Sequence, residues 1–533
     1  MTLSPLSLTV LTDTHYYSKE IGTSGKAYDK ANIKSQKLLA ESTDVLLQAI
    51  SQIKTDIVLI SGDVTNNGEL CSHKEFISVL RDLKAKGKCV YVITATHDFR
   101  SGGVTDGYNG DEKYQVPAAT RDMLFDMYRE FGPDEAISVH RQSMSYVLQL
   151  ADGYRLFALN DDSNLNGKSG FSDECFEWIT EQANKAKEEN QFIIAMTHHP
   201  LIAPSPIYEL IGKGDMLGDY ETRIAQLADI GIQFIFTGHT HIQNVSAYQS
   251  GQGNVIYDIC TGSPIGYPGT IRTATFDPSN NTVHLGTDYV ETPESFVKKG
   301  IEIRPYLENQ LIGMIKAMIK TAGKDIDRLA DMATAISIKP KVIYKFGWII
   351  KPVFKFLNSL KIGTVAKWTK KETGLKPADY KDIKDIKVVD FISELVLNLY
   401  GGESKYPPET PQYKITIGLL NIIDSILETL NIDFKKIIKV SPSVAGLVES
   451  LLYNPKIDSY FADLKVYPYV KAGEDAKEKL QWNEAPKTVR KSKKGLPIII
   501  IAAVLLIVLL PLWLVLILFG FVKNQIKYGK KLK

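Results

Sequence analysis

Five short stretches hold residues that could act together: Asp13-Thr14-His15, Gly62-Asp63, Thr96-His97-Asp98, His198-His199-Pro200 and Gly238-His239-Thr240-His241. Six of the nine histidines lie in them, and only His73, His140 and His284 do not. Neutral imidazole combined with carboxylate, with no cysteine among these stretches, suits borderline divalent metals such as Mn, Fe, Zn or Co. The set is too large for a single tetrahedral centre. Two divalent metal ions a few ångströms apart, sharing a carboxylate, would use it, and such a pair clamps phosphorus for in-line attack.

Each stretch follows a short apolar run, at residues 6–11, 56–60, 89–93, 192–196 and 234–236. Runs of this length read as strands, and helix-like segments such as 31–53 and 176–187 lie between them, so the expectation is an α/β unit. In open α/β sheets, ligand sites collect beyond the carboxyl ends of strands. The runs "SYVLQL" and "YRLFALN" predict a hairpin around Asp152-Gly153, and "NVIYDICTGSP" and "TIRTATFD" predict further strands. Taken singly, Gly-Asp after a strand is most often a turn, and Asp13 and His15 could be surface polar groups. His239 and His241 are more specific, because side chains at i and i+2 beyond a strand point to one face. The joint occurrence carries the inference.

From residue 291 to 486 the chain has no histidine, and helical patterns dominate, at 301–335, 388–400 and 419–430. The expected organisation is a catalytic domain over 1–290, a helical accessory region over 291–486 and a basic-flanked anchor over 487–533. Residues 495–522 contain no charged side chain and exceed the roughly 20 needed to cross a bilayer. They predict a single-pass C-terminal transmembrane helix, in which Pro511 is tolerated. Lysines and arginines flank both ends of the run, so the positive-inside count is tied. The first residues lack a basic segment and long apolar core of secretory type, and the expectation places the catalytic domain in the cytoplasm.

A net charge of +2 over 533 residues gives no argument for nucleic acid as a partner. The four cysteines (Cys71, Cys89, Cys175, Cys260) are far apart and form no ligand-spaced pair, which fits buried thiols in a reducing compartment. The stretch Lys339–Lys371 combines lysines with interleaved aromatic residues and has no Asp or Glu. It reads either as a helix in a membrane interface or as a helix packed on the catalytic domain with a solvated lysine face.

In order, "DTH", "SGDVTNNGE", "THD", "HHP" and "GHTH" resemble the five signature blocks of the calcineurin-like metallophosphoesterases, over residues 6–290. The resemblance implies a four-layer αββα sandwich, followed here by the α-helical region and the transmembrane helix. It implies that Asp13, His15, Asp63 and His241 hold one metal and that Asp63 bridges to a second. That second metal would be held by His198, His239 and the residue at position 96. A metal-bridging hydroxide would be the nucleophile. His97 would protonate the leaving oxygen or stabilise charge on the phosphoryl group, with Asp98 orienting it, and His199 would either support the ligands from behind or line the pocket.

The sequence departs from the family at one of these positions. Where the family has Gly-Asn-His followed by Asp or Glu, this chain has Ala95-Thr96-His97-Asp98. Asparagine offers a carbonyl oxygen, whereas threonine offers a hydroxyl on a shorter arm. Either Thr96 coordinates, or water takes its place, or the second site is weakened. The segment "YDICTGSPIGYPGTIRTATFD" is similar to the class III cyclic-nucleotide phosphodiesterase branch, so a cyclic nucleotide is the first expected substrate of a phosphodiester or phosphomonoester hydrolase. A lipid head group or other lipid-linked phosphate is the second, given the predicted membrane anchor. The rival expectation is a membrane-tethered scaffold, a pseudoenzyme that lost turnover through Thr96. A nucleic-acid substrate ranks low, because no extended basic groove is legible.

Overall fold

Side-chain alternation along the strands decides the layering. In β1 (Leu6–Leu11), β2 (Ile57–Ser61) and β3 (Cys89–Ile93), the residues Leu8, Val10, Leu59, Tyr91 and Ile93 face one apolar cluster. Their neighbours Leu11, Val58, Ile60, Val90 and Val92 face another. The remaining strands are β4 (Val104–Asn109), β5 (Glu112–Pro117), β6 (Ser138–His140), β7 (Ser145–Ala151), β8 (Tyr154–Ala158), β9 (Phe192–Met196) and β10 (Phe234–Thr237). They continue with β11 (Asn244–Gln249), β12 (Val255–Cys260), β13 (Thr270–Asp277), β14 (Thr282–Tyr289) and β15 (Ala462–Lys465). This computed structural model describes residues 3–33, 39–162, 169–204, 208, 213–322, 344, 358–403, 405–429, 443–453 and 458–481.

Two mixed sheets result, in the orders β15-β14-β13-β1-β2-β3 and β11-β12-β10-β9-β8-β7-β6, with β4 and β5 forming a separate hairpin. Strands β1, β2 and β3 run parallel in the first sheet, as do β8, β9, β10 and β12 in the second. The sheets share an apolar layer in which Phe234 stacks on Tyr257 with ring centroids 5.2 Å apart and meets Phe276 edge-on. On the far side of the second sheet, the helices Asp173–Glu188 and Tyr220–Asp229 cover Phe157, Ala195 and Ile235. The helices Ser42–Ser51 and Leu70–Ala85 cover the far side of the first. The αββα expectation holds, and the five apolar runs are strands.

The helical region is present as Ile303–Ala322, Val388–Gly401, Pro411–Thr429 and Val444–Leu452. Residues from all four helices join the apolar cluster outside the first sheet. The region is not purely helical, however. Residues 462–465 pair antiparallel with β14 and extend the first sheet, and Leu464 and Tyr467 enter the layer between the sheets. The alternation of this strand spans four residues, too few to stand out as a period.

Among the described residues no helix is long and apolar enough to cross a membrane, and the predicted span 495–522 lies outside them. Residues 323–335 and, except for Tyr344, the basic-aromatic residues 339–357 also lie outside them. The end of that stretch forms the short helices Ile362–Trp368 and Lys370–Thr373. Cys175 and Cys260 are buried as expected. Cys71 is half-buried, and Cys89 is exposed where β3 begins.

Candidate metal centre

The parallel strands of both sheets end at the same rim, and the candidate residues stand there. Asp13 and His15 follow β1, Asp63 follows β2, Thr96 and His97 follow β3, His198 follows β9, and His239 and His241 follow β10. Five of the nine described non-glycine residues with positive φ are Asp13, His15, Asp63, His239 and His241. That conformation is costly for residues with a Cβ, and its concentration here marks a site held against local preference. Two glycines let the loops close. A Cβ on Gly62 would lie 2.6 Å from His198 Nδ1, and one on Gly238 would lie 1.9 Å from Thr12 Oγ1.

The structure gathers ligand-type atoms into three overlapping clusters: Asp13, His15 and His241; His15, Asp63 and His97; and Asp63, His198 and His239. His241 Nε2 stands 3.4 Å from Asp13 Oδ1 and 3.1 Å from His15 Nε2. Asp63 Oδ2 lies 3.3 Å from His198 Nε2 and 3.9 Å from His15 Nε2, so this carboxylate belongs to two clusters. His239 Nδ1 is 3.2 Å from His198 Nε2. The rings are set from behind: His15 Nδ1 lies 3.2 Å from the Thr65 carbonyl, and His198 Nδ1 donates to the Ser61 carbonyl at 2.9 Å. Carbonyl partners of this kind fix the tautomer in which Nε2 is turned to a metal. Thr96 Oγ1 is a buried atom with no hydrogen-bond partner among the described residues, and Asp13 Oδ1 has only the long contact to His241. A donor set with unspent lone pairs fits divalent cations.

Burial would raise the Asp63 carboxyl, but the His198 and His97 rings outweigh it and hold Asp63 well below the usual carboxylate range. Asp13 is lowered in the same way, chiefly by His241. Burial would lower His198, yet Asp63 and Asp13 raise it to about 10. His239 is driven well down by burial beside His199 and His198. The centre is a dense set of buried carboxylates whose charge is met by imidazole. Thr96, His97 and His239 are its partly exposed members, so the centre opens on their side.

His97 donates its backbone N–H to Asp63 Oδ1 at 2.8 Å, and its ring Nδ1 to the Asn66 carbonyl at 2.7 Å. The orienting role expected of Asp98 therefore changes. Its carboxylate accepts from Thr65 N–H and Ala95 N–H, at 2.8 and 2.7 Å, and from the Thr65 hydroxyl at 3.1 Å. Asp98 clamps the loop after β2 to the loop after β3. Burial and the nearby Asp63 raise its carboxyl to about 7.

His199 packs its ring 4.2 Å from His239 and pairs through Nδ1 with both oxygens of Asp161 at 3.2 Å. The sequence reading missed Asn160, Asp161 and Asp162. The signal was available: they follow β8, a parallel strand ending at the same rim, and obey the same rule as the other blocks.

Residues 6–243 match the family model described as "Calcineurin-like phosphoesterase". A comparison with curated proteins gave no match. Solved structures similar to this chain include a dimetal phosphatase from Danio rerio, at 12% identity over 53% of this chain and 95% of that one, with a TM-score of 0.37. A purple acid phosphatase from yellow lupin (Lupinus luteus) matches at 13% identity over 54% of this chain and 52% of its own, with a TM-score of 0.30. The NAD nucleotidase of Haemophilus influenzae matches at 13% identity over 61% and 62%, with a TM-score of 0.29. Residues 6–243 form a calcineurin-like phosphoesterase domain, and with it the chain carries the domain of a phosphoric ester hydrolase.

Proposed function

We propose that the chain hydrolyses a phosphodiester or phosphomonoester at a two-metal centre, with a cyclic nucleotide as the first substrate to test. The observation that carries the reading is the sharing of Asp63 between the cluster with His15 and His97 and the cluster with His198 and His239, while His15 also belongs to the cluster with Asp13 and His241. Asp13, His15, Asp63 and His241 would hold one ion. Asp63, His198, His239 and Thr96 would hold the other. Bound metals supply an activated water and neutralise charge on the phosphoryl oxygens.

The protein's own groups do the rest. His97 fixes Asp63 through its backbone N–H and exchanges a proton with the leaving oxygen through Nε2, since Nδ1 is engaged by the Asn66 carbonyl. The loop after β12, within the segment similar to cyclic-nucleotide phosphodiesterases, reaches the centre, where Ser263 Oγ donates to the Asp13 carbonyl at 2.8 Å. That proximity supports the choice of first substrate. The uncharged run 495–522 supports a membrane tether for the domain.

The test is Mn²⁺-dependent hydrolysis of bis-p-nitrophenyl phosphate, of the corresponding monoester and of a cyclic nucleotide. Asp63→Asn should lower turnover by more than the roughly 100-fold that losing an outer partner of a metal ligand costs. Undiminished turnover in Asp63→Asn would remove the shared carboxylate from the reaction.

A further inference from the structure

Gln243 stands two residues beyond His241 and is fully buried. Its side chain uses its hydrogen-bonding capacity on partners from distant parts of the chain. Oε1 accepts from Gly262 N–H at 2.8 Å and from the Thr270 hydroxyl at 3.3 Å. Nε2 donates to the Thr287 hydroxyl at 3.0 Å and to the Ser459 carbonyl at 3.4 Å. An amide has two donor hydrogens and an acceptor oxygen with two lone pairs, so this one is satisfied.

The backbone of Gln243 reaches further. Its N–H donates to the Tyr400 carbonyl at 2.8 Å, one of the last carbonyls of the helix Val388–Gly401. Such carbonyls have no partner inside their own helix. Gly402, in the left-handed conformation with φ of 64°, ends that helix so close that a Cβ there would lie 1.9 Å from the Gln243 carbonyl oxygen. The helical region therefore seats directly on the end of the loop that carries His239 and His241. Through Gly262 the same amide also sets Ser263, whose hydroxyl holds the Asp13 backbone.

We infer that Gln243 is a positioning residue for the metal held by Asp13 and His241, and that the helical region is a working part of that metal position through Tyr400 and Gly402. The inference rests on the two-metal reading of the centre. Gln243 touches neither metal nor substrate in this account; it fixes the loop end from which His241 projects and the loop that holds Asp13. Without its hydrogen bonds, Gly262 N–H and the Ser459 carbonyl lose a buried partner and the two loops can drift apart.

The test uses the full chain and Mn²⁺ titration by calorimetry, with metal per chain counted after dialysis. Gln243→Met keeps the shape and removes the side-chain hydrogen bonds. It should weaken one equivalent by up to about 10-fold, the lower end of what losing a direct outer partner of a metal ligand costs, and leave the other unchanged. Asp13→Asn identifies which equivalent is affected: adding Gln243→Met to it should cause no further loss. Gly402→Ala, acting from the helical side, should reproduce the selective loss. Ser263→Ala, which removes a single hydroxyl, should do so more weakly, and it keeps the test open if the other variants do not fold.

Wild-type protein that binds no Mn²⁺ would sink the two-metal reading itself. Wild-type protein that binds two equivalents, with both retained at full affinity in folded Gln243→Met, Gly402→Ala and Ser263→Ala, would overturn this inference alone. Equal weakening of both equivalents would also overturn it, since it would indicate general loosening of the fold.

Discussion

His198 Nε2 stands 3.3 Å from Asp63 Oδ2 while His198 Nδ1 donates to the Ser61 carbonyl at 2.9 Å. A carbonyl can only accept, so Nδ1 carries a hydrogen and Nε2 faces the shared carboxylate with either a proton or a lone pair. A metal requires the lone pair. The relationship thus describes two occupants of one position, a proton or a metal ion.

Metal binding should accordingly release protons, and the apparent affinity for Mn²⁺ should fall as pH is lowered. Calorimetric titration at one pH in buffers of different ionisation heat measures the release. The account predicts a net loss of protons to the buffer. Binding heats independent of the buffer would show that the imidazoles are already unprotonated.

Thr96 presents a buried hydroxyl with no hydrogen-bond partner among the described residues, at the position where the family has asparagine. If the hydroxyl is a ligand, Thr96→Val, which keeps the branched shape, should weaken the equivalent held by His198 and His239 by at least about 10-fold, the smaller cost seen for outer partners. Thr96→Asn should tighten it. Metal affinity unchanged in both variants would mean that Thr96 takes no part in binding.

His73 gives a pH dependence separate from the metal centre. It is buried, with Nε2 2.8 Å from the Asp98 carbonyl and Nδ1 2.8 Å from the Tyr128 hydroxyl, and burial lowers it to about 4 from 6.5. The unfolded chain takes up the proton first as pH falls. Its stabilising contribution is therefore complete above pH 6.5 and is lost as pH falls toward 4, a total of about 3 kcal/mol. Denaturant unfolding of wild type and His73→Gln at pH 7 and pH 4.5 isolates it. Wild type should lose more stability across that interval than the variant; parallel losses would contradict the burial argument.

Much of this architecture was legible because two simple regularities coincide. Apolar runs such as Ile57–Ile60 and Phe234–Phe236 are fully buried strands, and their carboxyl ends carry Asp63 and His239. Asp161 escaped because β8 reads as half of a hairpin, although it also runs parallel to β9 and ends at the same rim. The Asp98 clamp and the Gln243 joint could not be read at all. Each depends on which backbone groups converge in space, and residue type says nothing of that. Strand β15 was hidden for a related reason: its four residues gain meaning only from β14, more than 170 positions earlier, as in the pairing of His284 with Asp463.

The central claim is that one carboxylate, Asp63, joins two metal ions. The most direct measurement is electron paramagnetic resonance of the full chain loaded with Mn²⁺, alongside metal counted per chain, for wild type and Asp63→Asn. The account predicts two ions per wild-type chain with an exchange-coupled spectrum, and loss of the coupling in Asp63→Asn. Two ions giving only the six-line spectrum of isolated Mn²⁺, or a single ion per chain, would contradict it.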